Sequence, residues 1–152
     1  MKFFGIFLLT LVSFDVCFGS LTLRLTNVCS KTYYNHTKPP LVSNIIRVNE
    51  CLPSNHELIS LNGKYRLVME DDGNLVIFEA VKPIWKTHSH RSDADRFCLQ
   101  DNQWTLCRGR QTIVLYCQQM DQIAYAILQD DGNFVAYSAA GVAVWSTDTA
   151  KF

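Results

Sequence analysis

Two stretches of this chain are near copies. VMEDDGNLVIFE begins at Val68, and AILQDDGNFVAYS runs from Ala126 to Ser138. The likeness extends from Tyr65 to Thr87 and from Tyr125 to Thr147, with single-residue gaps. Between them FCLQDNQWTLCR, Phe97 to Arg108, keeps Leu99-Gln100-Asp101 but has lost the turn glycine. A repeat of roughly thirty residues implies units that cannot bury their faces alone and must close on one another.

The first and last units alternate apolar and polar residues in short runs broken by Asp-Gly, which is strand and hairpin patterning. No long stretch has a helical period, so the class is all-β. Trp85 and Trp145 follow their turns at similar spacing, which suits a shared aromatic core.

Gln129, Asp131, Asn133, Val135 and Tyr137 fall at every second position. On one straight strand they would spread over ~26 Å, too far for one small ligand. A tight turn through Asp130-Asp131-Gly132 removes that difficulty. It sets Gln129 opposite Asn133 and Ile127 opposite Val135, with Phe134 and Ala136 on the core face. The result is a polar cup with an aliphatic floor and a phenol at its rim. Two amides, a carboxylate and a hydroxyl suit a polyhydroxylated ring. No nucleophile is paired with a base there, so no catalytic residue is assigned and the chain reads as a non-enzyme. The bland alternative is that Asp and Asn merely build the turn.

The 152-residue chain allows one domain with a sizeable core. Its formal charge is zero, so nothing points to nucleic acid or an anionic membrane. Residues 1–19 read as a cleaved signal peptide, with an apolar run from Phe3 to Phe14 too short to span a bilayer. A secreted product without membrane insertion is expected. Cleavage leaves Cys29, Cys51, Cys98, Cys107 and Cys117, an odd set whose two bridges can be drawn about fifteen ways. The pairing expected is Cys29–Cys51 with one bridge among the other three. Zinc is disfavoured because no C-x-x-C pair occurs, so no metal or cofactor is expected. Asn35-His36-Thr37 is a glycosylation sequon. His88 and His90 lie in a charged link, Lys86 to Arg96, read as solvated loop rather than a metal site.

The Gln129-to-Tyr137 pattern resembles the Q-x-D-x-N-x-V-x-Y signature of the bulb-type, monocot mannose-binding lectin domain, and ELISLNGKYRLVMEDDGNLVIF is similar to that family's opening unit. The resemblance covers residues 44–149, behind an extension at 20–43. It implies a β-prism of three four-stranded antiparallel sheets with pseudo-threefold symmetry. It also implies binding of mannose-containing glycans. Asp131 and Asn133 would hold the 2-hydroxyl, Gln129 and Tyr137 the 3- and 4-hydroxyls, and Val135 the ring.

The first unit departs from the signature. Its five positions read Glu70, Asp72, Asn74, Val76 and Phe78. Phe78 lacks the hydroxyl, and ionised Glu70 accepts but cannot donate, so this site is expected to be impaired or altered. The middle unit has Thr105 and Cys107 near the Val and Tyr positions, and no standard site is expected there. The family's usual disulfide partner for Cys98 falls at Gly73. The expectation is a secreted lectin acting chiefly through the third unit, as a homodimer, with a role in innate defence by resemblance. The alternative is a structural or protein-interaction module on a lectin fold.

Overall fold

The computed structural model describes Cys29 and residues 43–100, 103–116 and 123–151. The signal peptide, the Asn35 sequon and Cys117 lie outside the described residues, as does most of the extension.

The chain begins as a belt. Three short strands, β1 (Ile45–Arg47), β2 (Cys51–Pro53) and β3 (His56–Ile59), follow one another within a few residues. Each joins a different sheet. Three meanders then follow: β4 (Tyr65–Met69), β5 (Leu75–Glu79) and β6 (Lys82–Lys86); β7 (Arg96–Gln100), β8 (Gln103–Arg108) and β9 (Gln111–Tyr116); β10 (Ile123–Leu128), β11 (Phe134–Ser138) and β12 (Ala143–Ser146). The sheets have the orders β3-β4-β5-β6, β2-β7-β8-β9 and β1-β10-β11-β12. All pairings are antiparallel.

Alternation decides which face of each strand is buried. In β4, Tyr65, Leu67 and Met69 point inward while Arg66 and Val68 stay half-exposed. Leu67, Ile77, Leu99, Leu106, Leu128 and Phe134 meet in one core between the sheets. Each fully buried aliphatic or phenyl group there contributes ~1.5–3 kcal/mol. Trp104 lies inside this core, and Trp85 and Trp145 pack against it partly buried.

The architecture differs from the sequence expectation. The all-β class and the count of three four-stranded antiparallel sheets hold, but closure of those sheets into one β-prism does not. Hydrogen-bonded ladders run only within each sheet, and among the described residues none joins one sheet's edge to the next. Each repeat supplies three strands, and the fourth is a belt strand of only three or four residues, too short to carry pairing onward. Among the described residues, the disulfides all involve the middle sheet.

The disulfide pairing also needs correction. The bridges are Cys29–Cys107 and Cys51–Cys98, spanning 78 and 47 positions. Cys29–Cys51 is excluded because Cys51 sits on β2 directly opposite Cys98 on β7. Loops of this size correspond to about 4 kcal/mol of stabilisation each in the chain-entropy picture. The two bridges form a separate buried cluster, with Cys98 and Cys107 fully enclosed.

Candidate functional site

The third-unit residues gather at the turn between β10 and β11. The Gln129 N–H donates to the Asn133 carbonyl at 2.8 Å, and the Gly132 N–H to the Gln129 carbonyl at 3.1 Å. Gly132 has φ +88°, and a Cβ there would stand 2.6 Å from the Tyr65 ring. Glycine is therefore required by backbone and by packing alike. Ile127 pairs with Val135, and Tyr125 with Tyr137.

Above this frame Gln129 Nε2 donates to the Tyr137 hydroxyl at 2.6 Å. The two rim groups therefore face one another. Val135 is 5 % exposed and lies outside the axial core cluster, whereas Phe134 and Ala136 belong to it. Val135 is thus a floor on the outer face beneath the rim. Tyr125 stacks on Tyr137 with ring centroids 5.5 Å apart. Asp131 Oδ1 accepts the Asn133 N–H at 2.9 Å. Asn133 Oδ1 accepts from the Thr147 hydroxyl at 3.0 Å and the Thr149 N–H at 3.3 Å. Those oxygens hold the turn. Asp131 Oδ2, Asn133 Nδ2 and Gln129 Oε1 make no hydrogen bond among the described residues and face outward chemistry with one donor group and two acceptors.

The first unit repeats the frame nearly bond for bond. The Glu70 N–H donates to the Asn74 carbonyl at 2.8 Å. Asp72 Oδ1 accepts the Asn74 N–H at 2.9 Å, and Asn74 Oδ1 accepts from Thr87 at 2.9 Å and the Ser89 N–H at 3.2 Å. Val76, 2 % exposed, is the matching floor. The rim differs. Arg66, opposite Phe78, lies over its ring at 5.6 Å and pairs with Glu57 at 2.9 Å. Lys86 stands opposite Val76 where the third unit has Ser146 opposite Val135. Burial holds the Glu70 carboxyl above its ordinary range, helped by Asp72 and Asp71 and opposed by Lys86.

Comparison with known proteins matches this geometry. The chain is 29% identical over 108 residues to a B-type lectin, plumieribetin, of Scorpaena plumieri, covering 71% of this chain and 69% of that protein. A monocot mannose-binding lectin of Gastrodia elata, described as monomeric, superposes with a TM-score of 0.63 at 23% identity, over 72% of this chain and all of that one. A Marasmius oreades lectin gives 0.62 at 23% identity, over 70% and 92% of the two chains. No family model matches the chain.

The chain has the fold of a monocot mannose-binding lectin and is similar in sequence to a B-type lectin.

The middle unit departs from the other two. By register Thr105 and Cys107 stand where the third unit has Val135 and Tyr137, and Cys98 stands where it has Ile127. Cys107 carries Cys29, whose carbonyl accepts from Arg96 at 3.3 Å. Cys29 is thereby fastened to the position where a cup of the middle unit would carry its phenol. Gln100, retained from the signature, is buried with Oε1 unpaired among the described residues.

Sequence reasoning missed the second layer of the lectin cups. Thr147 and Thr149, with Thr87 and Ser89, orient the asparagines, and Tyr125 braces Tyr137. The signal was present as Trp85-Lys86-Thr87-His88-Ser89 beside Trp145-Ser146-Thr147-Asp148-Thr149. The Lys86-to-Arg96 link is also no free loop. Ser89 Oγ donates to the Gly73 carbonyl at 2.8 Å, and the Arg91 N–H to the Asp72 carbonyl at 2.9 Å. His88 and His90 remain exposed.

Proposed function

We propose that this protein is a secreted lectin that binds mannose-type glycans chiefly through Gln129, Asp131, Asn133, Val135 and Tyr137. The observation that supports it is the third cup itself. Its scaffold bonds use one oxygen each of Asp131 and Asn133, leaving a carboxylate oxygen and an amide group for a diol above a buried valine. The Gln129–Tyr137 bond leaves the phenol able to donate and Gln129 Oε1 able to accept. A sugar ring with neighbouring hydroxyls meets all of these together.

Each neutral hydrogen bond contributes ~0.5–1.5 kcal/mol net, so one cup holds a single sugar weakly. One complete cup per chain makes joined chains necessary for avidity, and the assembly proposed is a homodimer. Binding of microbial surface mannan in defence is the role proposed. Glu70, Asp72, Asn74, Val76 and Phe78 form an altered second cup in this reading. The competing reading, a protein-interaction module on a lectin fold, draws on the disulfide-linked middle unit and the charged first one.

The deciding experiment is retention on mannan-agarose with elution by free mannose. Wild type is expected to be retained. Gln129→Ala is the cleaner test variant because its side chain carries no scaffold bond, and Asp131→Ala should abolish retention. Circular dichroism checks the fold of each. Wild-type protein that flows through the column, and gives no signal on a glycan array, would rule out the lectin reading.

A further inference from the structure

A second, chemically different site lies on the inner side of the sheets. The registers Met69–Leu75, Leu99–Trp104 and Leu128–Phe134 place Leu75, Trp104 and Phe134 at one level, each the first inward residue of its strand pair. Two of the three are aromatic and the first is only leucine. The aromatic side is closely packed, with Trp104 at 5.2 Å from Phe97, 5.3 Å from Phe134 and 5.4 Å from Trp145, centroid to centroid. The leucine side is not. A cleft of about 210 Å³, partly open to solvent, remains, bounded by Leu75, Trp85, Phe97, Trp104, Phe134 and Trp145. Close-packed interiors contain few voids larger than a water molecule.

The walls decide what could enter. Thr87 supplies the hydroxyl of the lining, and its Oγ already bonds Asn74 Oδ1, the Leu75 N–H and Ser89 Oγ. Lys86 borders the cleft, but alternation sends its side chain to the outer face opposite Val76, because Trp85 faces inward against Ile77. Apart from the Trp104 indole N–H, no buried polar side-chain atom of the lining lacks a partner among the described residues, which leaves little to hold a sugar or an ion. Water needs several polar partners to be held, and an apolar void of roughly 150 Å³ takes up benzene instead. Trp85 and Trp145 are only partly buried, so the space is reachable between them. Planar walls favour a planar guest, by offset stacking and edge contacts.

We infer that this cleft is a binding site for a small neutral aromatic molecule of one or two rings, separate from the sugar cups and created by Leu75 standing where the other units carry an aromatic residue.

Toluene and indole are the probes, titrated into the folded chain by saturation-transfer NMR and thermal shift. Saturable binding to wild type is expected, and Leu75→Phe should weaken it by about tenfold or more. The same variant should melt higher, because the ring fills the void, and should keep wild-type mannan retention. No saturable binding to wild type, or unchanged affinity in Leu75→Phe, overturns the inference. Bromobenzene soaked into crystals of wild type supplies a check that needs no variant. An anomalous peak between Leu75 and Trp145 supports the site, and its absence there overturns it.

Discussion

The first and third units share a scaffold and differ in everything mounted on it. Both turns are closed by an aspartate accepting its own Asx-turn bond and by an asparagine held from a Thr-x-Ser/Thr pair. Both have a buried valine floor. The differences fall at side chains that do not hold the Asp-Gly-Asn corner: Glu70 for Gln129, Phe78 for Tyr137, Arg66 for Tyr125, Lys86 for Ser146. The comparison teaches that Asp-Gly-Asn alone does not mark a cup that can bind. Those residues are needed to make the corner at all. The discriminating positions are the ones freed from that duty.

The comparison can be broken first at its glycines. Gly73 and Gly132 sit at φ +87° and +88°. A Cβ at Gly73 would meet Ser92 Oγ at 2.3 Å and the Ala94 nitrogen at 2.9 Å, while at Gly132 it meets the Tyr65 ring. Strain at one such φ costs about 1–3 kcal/mol before any collision. Urea denaturation should show both alanine variants destabilised by at least that much, Gly73→Ala more, since backbone yields less than a ring.

The threonine layer comes next. Thr147→Val and Thr87→Val each leave an asparagine oxygen short of a donor, at about 1–3 kcal/mol. Denaturation should report similar losses for the two. Mannan retention should fall only for Thr147→Val. Equal loss of retention in Thr87→Val would mean the first cup carries the binding.

Restoring the rim should sharpen the contrast. Glu70→Gln with Phe78→Tyr supplies the missing donor and hydroxyl, and calorimetry should register added mannose binding of roughly 1–3 kcal/mol at that cup. An unchanged isotherm would assign the defect to Arg66 and Lys86 instead.

The smallest effect is in pH. Glu70 is raised from 4.5 by burial first and by its acidic neighbours second. A raised carboxyl favours the protonated folded chain, so its contribution is present below 4.5 and is lost as pH rises through the raised value. Glu70→Gln should flatten stability in that mildly acidic window, as thermal melts across pH would show. Protonated Glu70 can donate as Gln129 does, so wild-type binding at the first cup should strengthen on acidification.

Much of the third turn was legible because its geometry is local. Asp131-Gly132 fixes the corner, and alternation then dictates that Asn133, Val135 and Tyr137 share a face. The single-residue gap between repeats was visible too, but its consequence was not. Counted back from the turns, Arg66 rather than Tyr65 stands in the place of Tyr125. Tyr65 therefore turns inward against Gly132 while Tyr125 turns outward to its partner. A slip of one residue reverses a strand's faces, and only the bulge between Ile123 and Tyr125 absorbs it. The disulfides were illegible for the opposite reason. They are set by which strands meet across the fold, and no local pattern shows that Cys51 faces Cys98. Closure into a β-prism, implied by the resemblance, failed: the fourth strand of each sheet comes from outside the repeating units, and no ladder among the described residues joins one sheet to the next.

The belt of β1, β2 and β3 has a bearing on the order of assembly. The three edge strands precede every meander, yet Ile45 finds its mate in Ile127, on β10 of the third meander. Contacts so distant along the chain slow folding, because loop closure is demanded before pairing rewards it. The meanders can zip locally, but the third sheet stays incomplete until β1 and β10 coexist outside the ribosome.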